Sequence, residues 1–314
     1  MLTSGAFNMY LLLLLCILAA IGLGGAYYAY RIAFFSPMKD RDRIPSPQGP
    51  QYDPYREEMA RIYHQLNDRT CEFVTITSHD GLKLSGRYYH VKDGAPLDIG
   101  FHGYRSSPLT DFSGGSELSF SLEHNVLLVD QRAHGKSEGR TIAFGIQERQ
   151  DLLKWVEYAI DRFGPDVKII LYGVSMGGAT VLLASELDLP QNVKGIIADC
   201  PYSAPIDIIL HVGKKMPIPT WLIRPFAILA AKIFGSFDLT ETDAVKAVKN
   251  ATVPILIIHG ESDGFVPQEM SNIAEHNPEM VTRHTFPGAD HGISYLVDAP
   301  RYRQIVTAFM EKVL

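Results

Sequence analysis

The chain has 314 residues, of which 46% are hydrophobic, so it is long enough for one large domain or two small ones with a sizeable core. This composition excludes disordered and fibrous proteins, and a formal charge of −6 spread along the chain indicates neither a nucleic-acid-binding footprint nor an acidic tail. Cys16, Cys71 and Cys200 lack the spacing of metal ligands, so we expect free thiols rather than a disulfide framework.

The first predicted element is an apolar helix near the N-terminus. Tyr10 to Tyr30 is almost wholly apolar and the first charged side chain is Arg31, which matches the roughly 20 residues that a helix needs to cross a bilayer. A secretory signal peptide normally begins with basic residues, but residues 1–9 contain no Lys or Arg. We therefore predict a single-pass membrane anchor over residues 1–35. The alternative, a cleaved signal peptide, predicts an extracellular protein whose mature N-terminus lies beyond Ala20.

The segment after the anchor is basic and rich in proline. The positive-inside rule counts its basic residues and places the following domain on the cytoplasmic side of the membrane. These residues are Arg31, Lys39, Arg41 and Arg43, against Asp40 and Asp42. From Ser36 to Pro54, five prolines with Gly and Ser predict an extended linker. We therefore divide the chain into an anchor (1–35), a linker (36–54) and a globular domain (55–314).

The globular domain opens with a helix and a hairpin. Tyr55 to Leu66 has the apolar spacing of an amphipathic helix packed on the domain. Two runs rich in Val, Ile, Thr and Tyr, Cys71 to Thr77 and Leu82 to Val91, flank His79-Asp80-Gly81, which is a hairpin signal. The first strands of the domain are therefore predicted to be antiparallel.

The pattern then changes to short apolar runs alternating with helical periodicity, which predicts βαβ units. The runs have the composition of strands covered on both faces. They are Leu97 to Phe101, Val126 to Asp130, Lys168 to Tyr172, Lys194 to Asp199, Pro254 to His259 and Val281 to Phe286. Gln147 to Phe163 and Tyr302 to Val313 each carry an apolar helical stripe. The predicted fold class is α/β, with a mostly parallel central sheet and helices on both faces.

One segment, Pro205 to Asn250, is too long for a simple crossover between two strands, and we predict a helical cap over residues 205–250. Within it, Trp221 to Phe234 is apolar enough for a buried or membrane-facing helix. Its basic residues are either ordinary solvated side chains or a contact for anionic lipid or an acidic substrate group. They are Lys214, Lys215, Arg224 and Lys232.

The strongest chemical signal is the turn that contains Ser175. The predicted strand Lys168 to Tyr172 runs into Gly173-Val174-Ser175-Met176-Gly177-Gly178, and a helical pattern, Thr180 to Leu187, follows. A serine needs a sharp turn to lift its hydroxyl towards a substrate and a base to remove its proton. This context predicts a nucleophile elbow at Ser175, with the N–H of Met176 directed at a developing oxyanion.

A base and an acid follow in the expected chain order. His291 lies in a predicted loop before the last helix, and Asp263 lies just beyond the strand Pro254 to His259. A carboxylate in that place can orient and charge-stabilise the imidazole. Glu261 and Asp290 are rival acids, although Asp290 adjoins His291 and adjacent side chains seldom meet in the required geometry.

A second oxyanion donor is expected from the loop after an earlier strand. The loop His102-Gly103-Tyr104-Arg105 follows the strand that ends at Phe101. Gly103 permits close approach of the backbone, so the N–H of Tyr104 is the candidate and that of Arg105 is second. His102 precedes the nucleophile, and we interpret it as a residue that braces the loop.

These motifs together resemble the α/β-hydrolase superfamily over about Cys71 to Leu314. Four elements stand in family order: the His102-Gly103 turn, the turn from Asp130 to Ser137, the Ser175 elbow, and the Asp263 and His291 pair. The second is similar to the family segment DxRGxGxS, with Ala133 in place of the usual Gly. By its layout, the chain looks like membrane-tethered serine hydrolases with a helical cap.

The resemblance implies acyl transfer to water through an acyl-Ser175 intermediate, with no metal or organic cofactor. The first choice of substrate is a carboxylic ester with an acyl or aromatic group, including a lipid ester, because a capped apolar site beside a membrane suits it. A thioesterase or a peptidase of the same fold is the alternative. An alternative of another class is an inactive membrane-anchored homologue that only binds a ligand.

Overall fold

The fold is built on one sheet of eight strands in a computed structural model that describes residues 4–37 and 49–314. The strands are β1 (Glu72–Thr77), β2 (Lys83–Tyr89), β3 (Leu97–Phe101), β4 (Asn125–Val129), β5 (Ile169–Val174), β6 (Val193–Asp199), β7 (Ile255–Gly260) and β8 (Val281–Phe286). Their order is β1-β2-β4-β3-β5-β6-β7-β8. The pairs β1-β2 and β2-β4 are antiparallel and the other five pairs are parallel, which confirms the predicted fold class.

Helices cover both faces of this sheet. The α-helices of the described residues are α1 (Ser4–Ala29), α2 (Arg56–Asn67), α3 (Pro108–Asp111), α4 (Ser113–Ser121), α5 (Glu148–Phe163), α6 (Met176–Ala184), α7 (Pro205–Gly213), α8 (Thr220–Ala230), α9 (Ala244–Lys249), α10 (Ser294–Val297) and α11 (Ala299–Val313). Successive strand side chains point to opposite faces. Leu127 and Leu171 therefore pack with α5 and α6, whereas Leu128 and Ile170 pack with α2, α4 and α11.

The predicted strands and the two long amphipathic helices of the domain are present within a few residues of their expected bounds. The helix after Ser175 starts at once, at Met176 rather than Thr180, and every residue of α6 is buried. A helix that is apolar on every side has no amphipathic stripe, so periodicity does not predict the residue at which it begins. The four-residue α3 and the Gly- and Ser-rich α4 carry no clear periodicity, and the sequence did not predict them.

The end of the predicted linker is not an extended chain. Pro50–Tyr55 forms a 3₁₀-helix directly before α2, and the hydroxyl of Tyr52 donates to the backbone oxygen of His291 (3.1 Å). Residues 38–48 of the linker lie outside the described residues. The division into anchor, linker and domain therefore remains a proposal.

The N-terminal helix runs into the domain rather than standing apart from it. Residues Asn8–Phe34 form one continuous helical stretch that is long and apolar enough to cross a membrane, a property that signal sequences share. Most of its first twenty residues are exposed, but Ala26, Tyr30 and Phe34 are buried in the core that also holds α5 and α6. The end of the stretch, Tyr30–Phe34, is a π-helical turn.

The turn after β4 is held by a buried ion pair. Arg132, which is 2% exposed, donates through Nε and Nη2 to both carboxylate oxygens of Asp151 in α5 (2.6 Å each). It also donates to Asp80 in the turn of the β1–β2 hairpin (3.0 and 3.1 Å). One guanidinium therefore joins three segments that lie far apart in sequence.

We predict that Arg132→Met destabilises the protein by about 3–5 kcal/mol, because it leaves the buried Asp151 carboxylate without its partner. The measurement is the free energy of unfolding from denaturant titration. Adding Asp151→Leu to the variant is expected to recover much of the loss, since the pair is then replaced by apolar side chains. The exposed pair Lys154–Glu157 provides the control, and Lys154→Met is expected to change stability little.

Candidate active site

Ser175 is the single residue between β5 and α6, and it forms a strained turn. Its φ is 56° and its ψ is −115°, a left-handed conformation that costs a residue with a side chain about 1–3 kcal/mol. The turn needs small neighbours, because a Cβ on Gly173 would overlap the backbone of Gly177, and a Cβ on Gly177 would overlap the carbonyl of Phe101. This close packing of backbones holds the hydroxyl of Ser175 at the start of α6, at the carboxyl end of the sheet.

The structure brings the three predicted catalytic side chains into one chain of contacts. His291 Nε2 lies 2.9 Å from Ser175 Oγ, and His291 Nδ1 lies 2.7 Å from Asp263 Oδ2. Each side chain follows a different strand: Ser175 follows β5, Asp263 follows β7, and His291 follows β8. Because these parallel strands are neighbours or near neighbours, their carboxyl ends bring the three loops together.

Asp263 is fixed in its ionised form. One carboxylate oxygen accepts from the backbone N–H groups of Phe265 (2.9 Å) and Val266 (2.7 Å). The other contacts His291 and, at 3.3 Å, Nε2 of His259. Burial alone would raise the pKa of Asp263, but hydrogen bonds from His259 and His291 outweigh it and hold the pKa well below its usual range. The carboxyl therefore remains an acceptor at neutral pH.

His259 contacts Asp263, a place in the site that its sequence position does not reveal. This histidine is fully buried in β7 and donates from Nε2 to the backbone oxygen of Val266 (2.9 Å). In the sequence, His259 stands four residues before Asp263. This spacing indicates a contact only when the course of the turn after β7 is known. Through its contacts with Val266 and Asp263, His259 fixes the loop that carries Asp263.

His291 has the properties of a base. Burial would lower its pKa, but the hydrogen bond and the charge of Asp263 outweigh it, with smaller contributions from Asp111 and Asp199, and the net shift is upward. The aspartate also selects the ring form, since Nδ1 donates to a carboxylate and Nε2 is left to face Ser175.

Neither rival acid contacts the His291 ring. Asp290 accepts at Oδ1 from the backbone N–H groups of Gly264 (2.9 Å) and His291 (2.7 Å), so it shapes the loop. Glu261 is exposed and accepts from the hydroxyl of Thr285 (2.7 Å). Of the three acidic residues considered from the sequence, Asp263 is the one placed against the imidazole.

The loop after β3 is braced around Ser175. His102 is fully buried, and Nδ1 donates to Gly103 O (2.8 Å) while Nε2 accepts from the N–H of Gln131 (3.1 Å). Burial lowers the pKa of His102 to about 4, so the ring is neutral. This agrees with the bracing role expected from its position in the sequence.

In the same loop, the candidate donor N–H lies between two that already have acceptors. The N–H of Gly103 donates to Asp111 Oδ2 (2.6 Å), and the N–H of Arg105 donates to Nε2 of His134 (3.0 Å). Arg105, our second candidate donor, is therefore engaged, which leaves Tyr104 between them. Tyr104 and Met176 both line the cavity that contains Ser175.

Asp111 is a second site residue that sequence reasoning missed. It lies in α3, accepts from Gly103 N–H and from Ser106 Oγ (2.6 Å), and comes near Ser175 through Gly103. Burial raises the pKa of the Asp111 carboxyl, although these two hydrogen bonds favour its ionised form. No local motif marks it, because its place depends on a loop that folds back towards β5.

Two groups of side chains in the described residues have metal-ligand geometry. They are Cys200 with Asp263 and His291, and His79 with Asp80 and Asp151. In the first group, the facing atoms of Asp263 and His291 already bind each other. In the second, both carboxylates already pair with the cationic Arg132, which would repel a metal ion. Neither group fits a resident metal.

A cavity of ≈ 470 Å³ opens above Ser175. Its volume lies in the range of about 300–1,000 Å³ that small-molecule sites have. Its lining is almost wholly apolar and comes from three parts of the chain: the end of the N-terminal helix, helices α7 and α8 of the predicted cap, and the loops around Ser175. The arrangement suits an apolar group held next to a reactive hydroxyl.

Comparison with known proteins identifies this layout. The family model described as the α/β hydrolase fold matches residues 101–229, which include the loop after β3 and the Ser175 turn. The uncharacterized protein YqkD of Bacillus subtilis is 25% identical over 289 residues, covering 91% of this chain and 92% of the relative. The thiohydrolase aneE of Aspergillus aculeatus is 34% identical over 146 residues, covering 46% of this chain and 44% of the relative.

Solved structures share the fold at low sequence identity. The esterase Pf2001 of Pyrococcus furiosus is 24% identical with a TM-score of 0.62, covering 86% of this chain and 99% of that chain. Est1E of Butyrivibrio proteoclasticus, solved with ferulic acid bound, is 22% identical with a TM-score of 0.60, covering 76% of this chain and 98% of that chain. With the sheet order, the elbow and the match of the family model over residues 101–229, these likenesses lead to one conclusion: the chain has the α/β-hydrolase fold.

Proposed function

We propose that this protein is a serine hydrolase that cleaves a carboxylic ester through an acyl-Ser175 intermediate. The observation that carries the proposal is the continuous contact from Ser175 Oγ through His291 to the ionised Asp263. An unassisted serine hydroxyl is a poor nucleophile, and this arrangement supplies the base and its orienting carboxylate.

In the proposed reaction, Ser175 Oγ attacks the ester carbonyl carbon while its proton passes to Nε2 of His291. Negative charge develops on the carbonyl oxygen, and the N–H groups of Tyr104 and Met176 stabilise it. The intermediate collapses, and the leaving alcohol takes the proton from His291. Water then attacks the acyl-enzyme with His291 again as base, which releases the acid and restores Ser175.

An ester is favoured over the alternatives because the cavity is apolar where the acyl group would lie. Relatives named as esterases and as a thiohydrolase support acyl transfer to water and leave a thioester as the second candidate. A peptide is less well matched, since an extended backbone needs polar partners that an apolar lining does not supply.

We also propose that the N-terminal helix is retained as a single-pass membrane anchor, with the catalytic domain on the cytoplasmic side. Removal of a signal peptide by cleavage beyond Ala20 would remove or shorten a helix whose end is part of the core. Ala26 and Phe34 are fully buried, and Tyr30 places its hydroxyl 2.9 Å from Thr141 Oγ1. The basic flank of the helix supports the orientation.

We predict that the native protein is labelled at Ser175 by a fluorophosphonate, which reacts with activated serines. Ser175→Ala and His291→Ala should each remove labelling and nearly all ester turnover, because one loses the nucleophile and the other the base. Labelling is read by mass spectrometry and turnover with a chromogenic ester. A folded protein that resists the probe would contradict the proposal and favour the inactive ligand-binding homologue.

We predict that Asp263→Asn lowers kcat about 10⁴-fold. In the native protein, Asp263 raises the pKa of His291, and the neutral ring is the base, so kcat/KM should fall as the pH drops through a value above about 6.5. Without the carboxylate, this acidic limb of the pH–rate profile should move to lower pH. The measurement is kcat/KM from pH 5 to pH 9.

Asp290→Asn is the matched control for this prediction. An amide oxygen can still accept from the two backbone N–H groups that Asp290 binds, so activity and the pH profile should change little. The opposite pattern, with Asp290→Asn inactive and Asp263→Asn active, would transfer the acid to Asp290.

We predict that peptides upstream of Ala20 remain in the mature native protein and that it stays with the membrane after carbonate extraction. The physical reason is the burial of the helix end, which cleavage would disturb. Intact mass and fractionation measure the two properties. A mature N-terminus beyond Ala20 and a soluble enzyme would instead support a secreted protein.

A further inference from the structure

The cavity above Ser175 is enclosed partly by the N-terminal helix itself. Gly25, Tyr28, Ala29 and Ile32 contribute to its lining, opposite cap residues that include Ile223 and Phe226. Helices α1 and α8 pack closely, and a Cβ on Gly25 would lie 2.5 Å from the ring of Phe226. The cavity therefore extends from the reactive hydroxyl to the helix that we assign to the membrane.

The end of the helix is bound to the loop that carries the proposed oxyanion donor. The hydroxyl of Tyr104 donates to Ala33 O (2.8 Å). The guanidinium of Arg105 donates to Ile32 O (2.8 Å) and Phe35 O (3.0 Å). These backbone oxygens lie where the helix ends and lacks its own donors. The wall of the cavity is thus a fixed part of the site.

The outer part of the cavity lies at the level where the helix would leave the bilayer. The exposed Tyr27 and Tyr28, followed by Arg31, form the kind of aromatic and basic girdle that marks a membrane interface. On the neighbouring α8, Trp221 is 74% exposed, which suits an interfacial position beside a membrane helix. Tyr28 belongs both to this girdle and to the lining of the cavity.

From these observations we propose that the substrate is a bilayer-resident lipid ester whose acyl chain enters the cavity from the side of the N-terminal helix and fills it. The proposal rests on the proposed function of Ser175. The lining is apolar, so an acyl chain loses little on leaving the bilayer, whereas a polar headgroup would lose its hydrogen bonds there. With the ester carbon beside Ser175, the acyl chain therefore fills the cavity towards α1, and the headgroup lies on the other side of the ester, outside the apolar lining.

The chain-length test uses the full-length protein in nanodiscs with 4-nitrophenyl butyrate and 4-nitrophenyl decanoate. The decanoate should have the higher kcat/KM, by at least about tenfold, because each added methylene is buried in the cavity. Ile223→Trp fills the cavity and should lower the decanoate-to-butyrate ratio of kcat/KM at least about tenfold. Ile209→Trp narrows the same cavity from α7 and serves as the second variant.

Ile233→Trp is the matched control, since Ile233 follows α8 on the same cap segment, is 46% exposed and does not line the cavity. It should keep the ratio of the native protein. Fluorophosphonate labelling of Ser175 in each variant shows that the site is folded. If Ile223→Trp and Ile209→Trp are labelled but keep the native decanoate-to-butyrate ratio of kcat/KM, the acyl chain does not occupy this cavity. The proposal of ester hydrolysis would be unaffected by that result. If the native protein itself showed neither labelling nor ester turnover, the proposed function would be wrong.

The source of the substrate is tested in phosphatidylcholine vesicles that contain the protein and 1-oleoylglycerol. Entry from the bilayer predicts that the rate follows the mole fraction of 1-oleoylglycerol in the membrane at constant bulk concentration. A rate that follows bulk concentration at constant mole fraction would overturn entry from the membrane.

Discussion

The close approach of Gly177 to the end of β3 is the constraint on which the site depends. A side chain at Gly177 would overlap the carbonyl of Phe101, so the bare backbone lets α6 start directly against the neighbouring strand. Ser175 is thereby forced to a φ of 56° and stands clear of both β5 and α6. The strain of this one residue is small beside the burial of α6, whose residues are all inside the core, and the fold can hold it.

The contacts of each ionisable group around that serine set the direction in which its pKa is shifted. Asp263 stays ionised because two backbone N–H groups and two histidines contact it. His102 stays neutral because it is buried without a charged partner. His291, between these extremes, has a raised pKa because its burial is offset by the Asp263 carboxylate. The pKa values of two imidazoles in one site are thus shifted in opposite directions through their surroundings alone.

The N-terminal helix combines two physical properties. Its apolar length suits a bilayer, and its end closes an apolar cavity beside Ser175. Tyr104 and Arg105 join these roles, because they bind the last carbonyls of the helix and belong to the loop that faces the serine. A displacement of the helix would therefore move one wall of the cavity and the proposed oxyanion donor together.

The sequence by itself determined the fold class, most strand positions and the candidates Ser175, Asp263 and His291, because strand periodicity and turn chemistry are local properties. It left Glu261 and Asp290 as rivals and missed His259 and Asp111, whose contacts join residues that depend on how distant loops return. It also read residues 1–35 as an anchor separate from the domain. Only the tertiary structure decided that this helix ends in the core and lines the cavity, since burial of Tyr30 and Phe34 needs partners more than a hundred residues away.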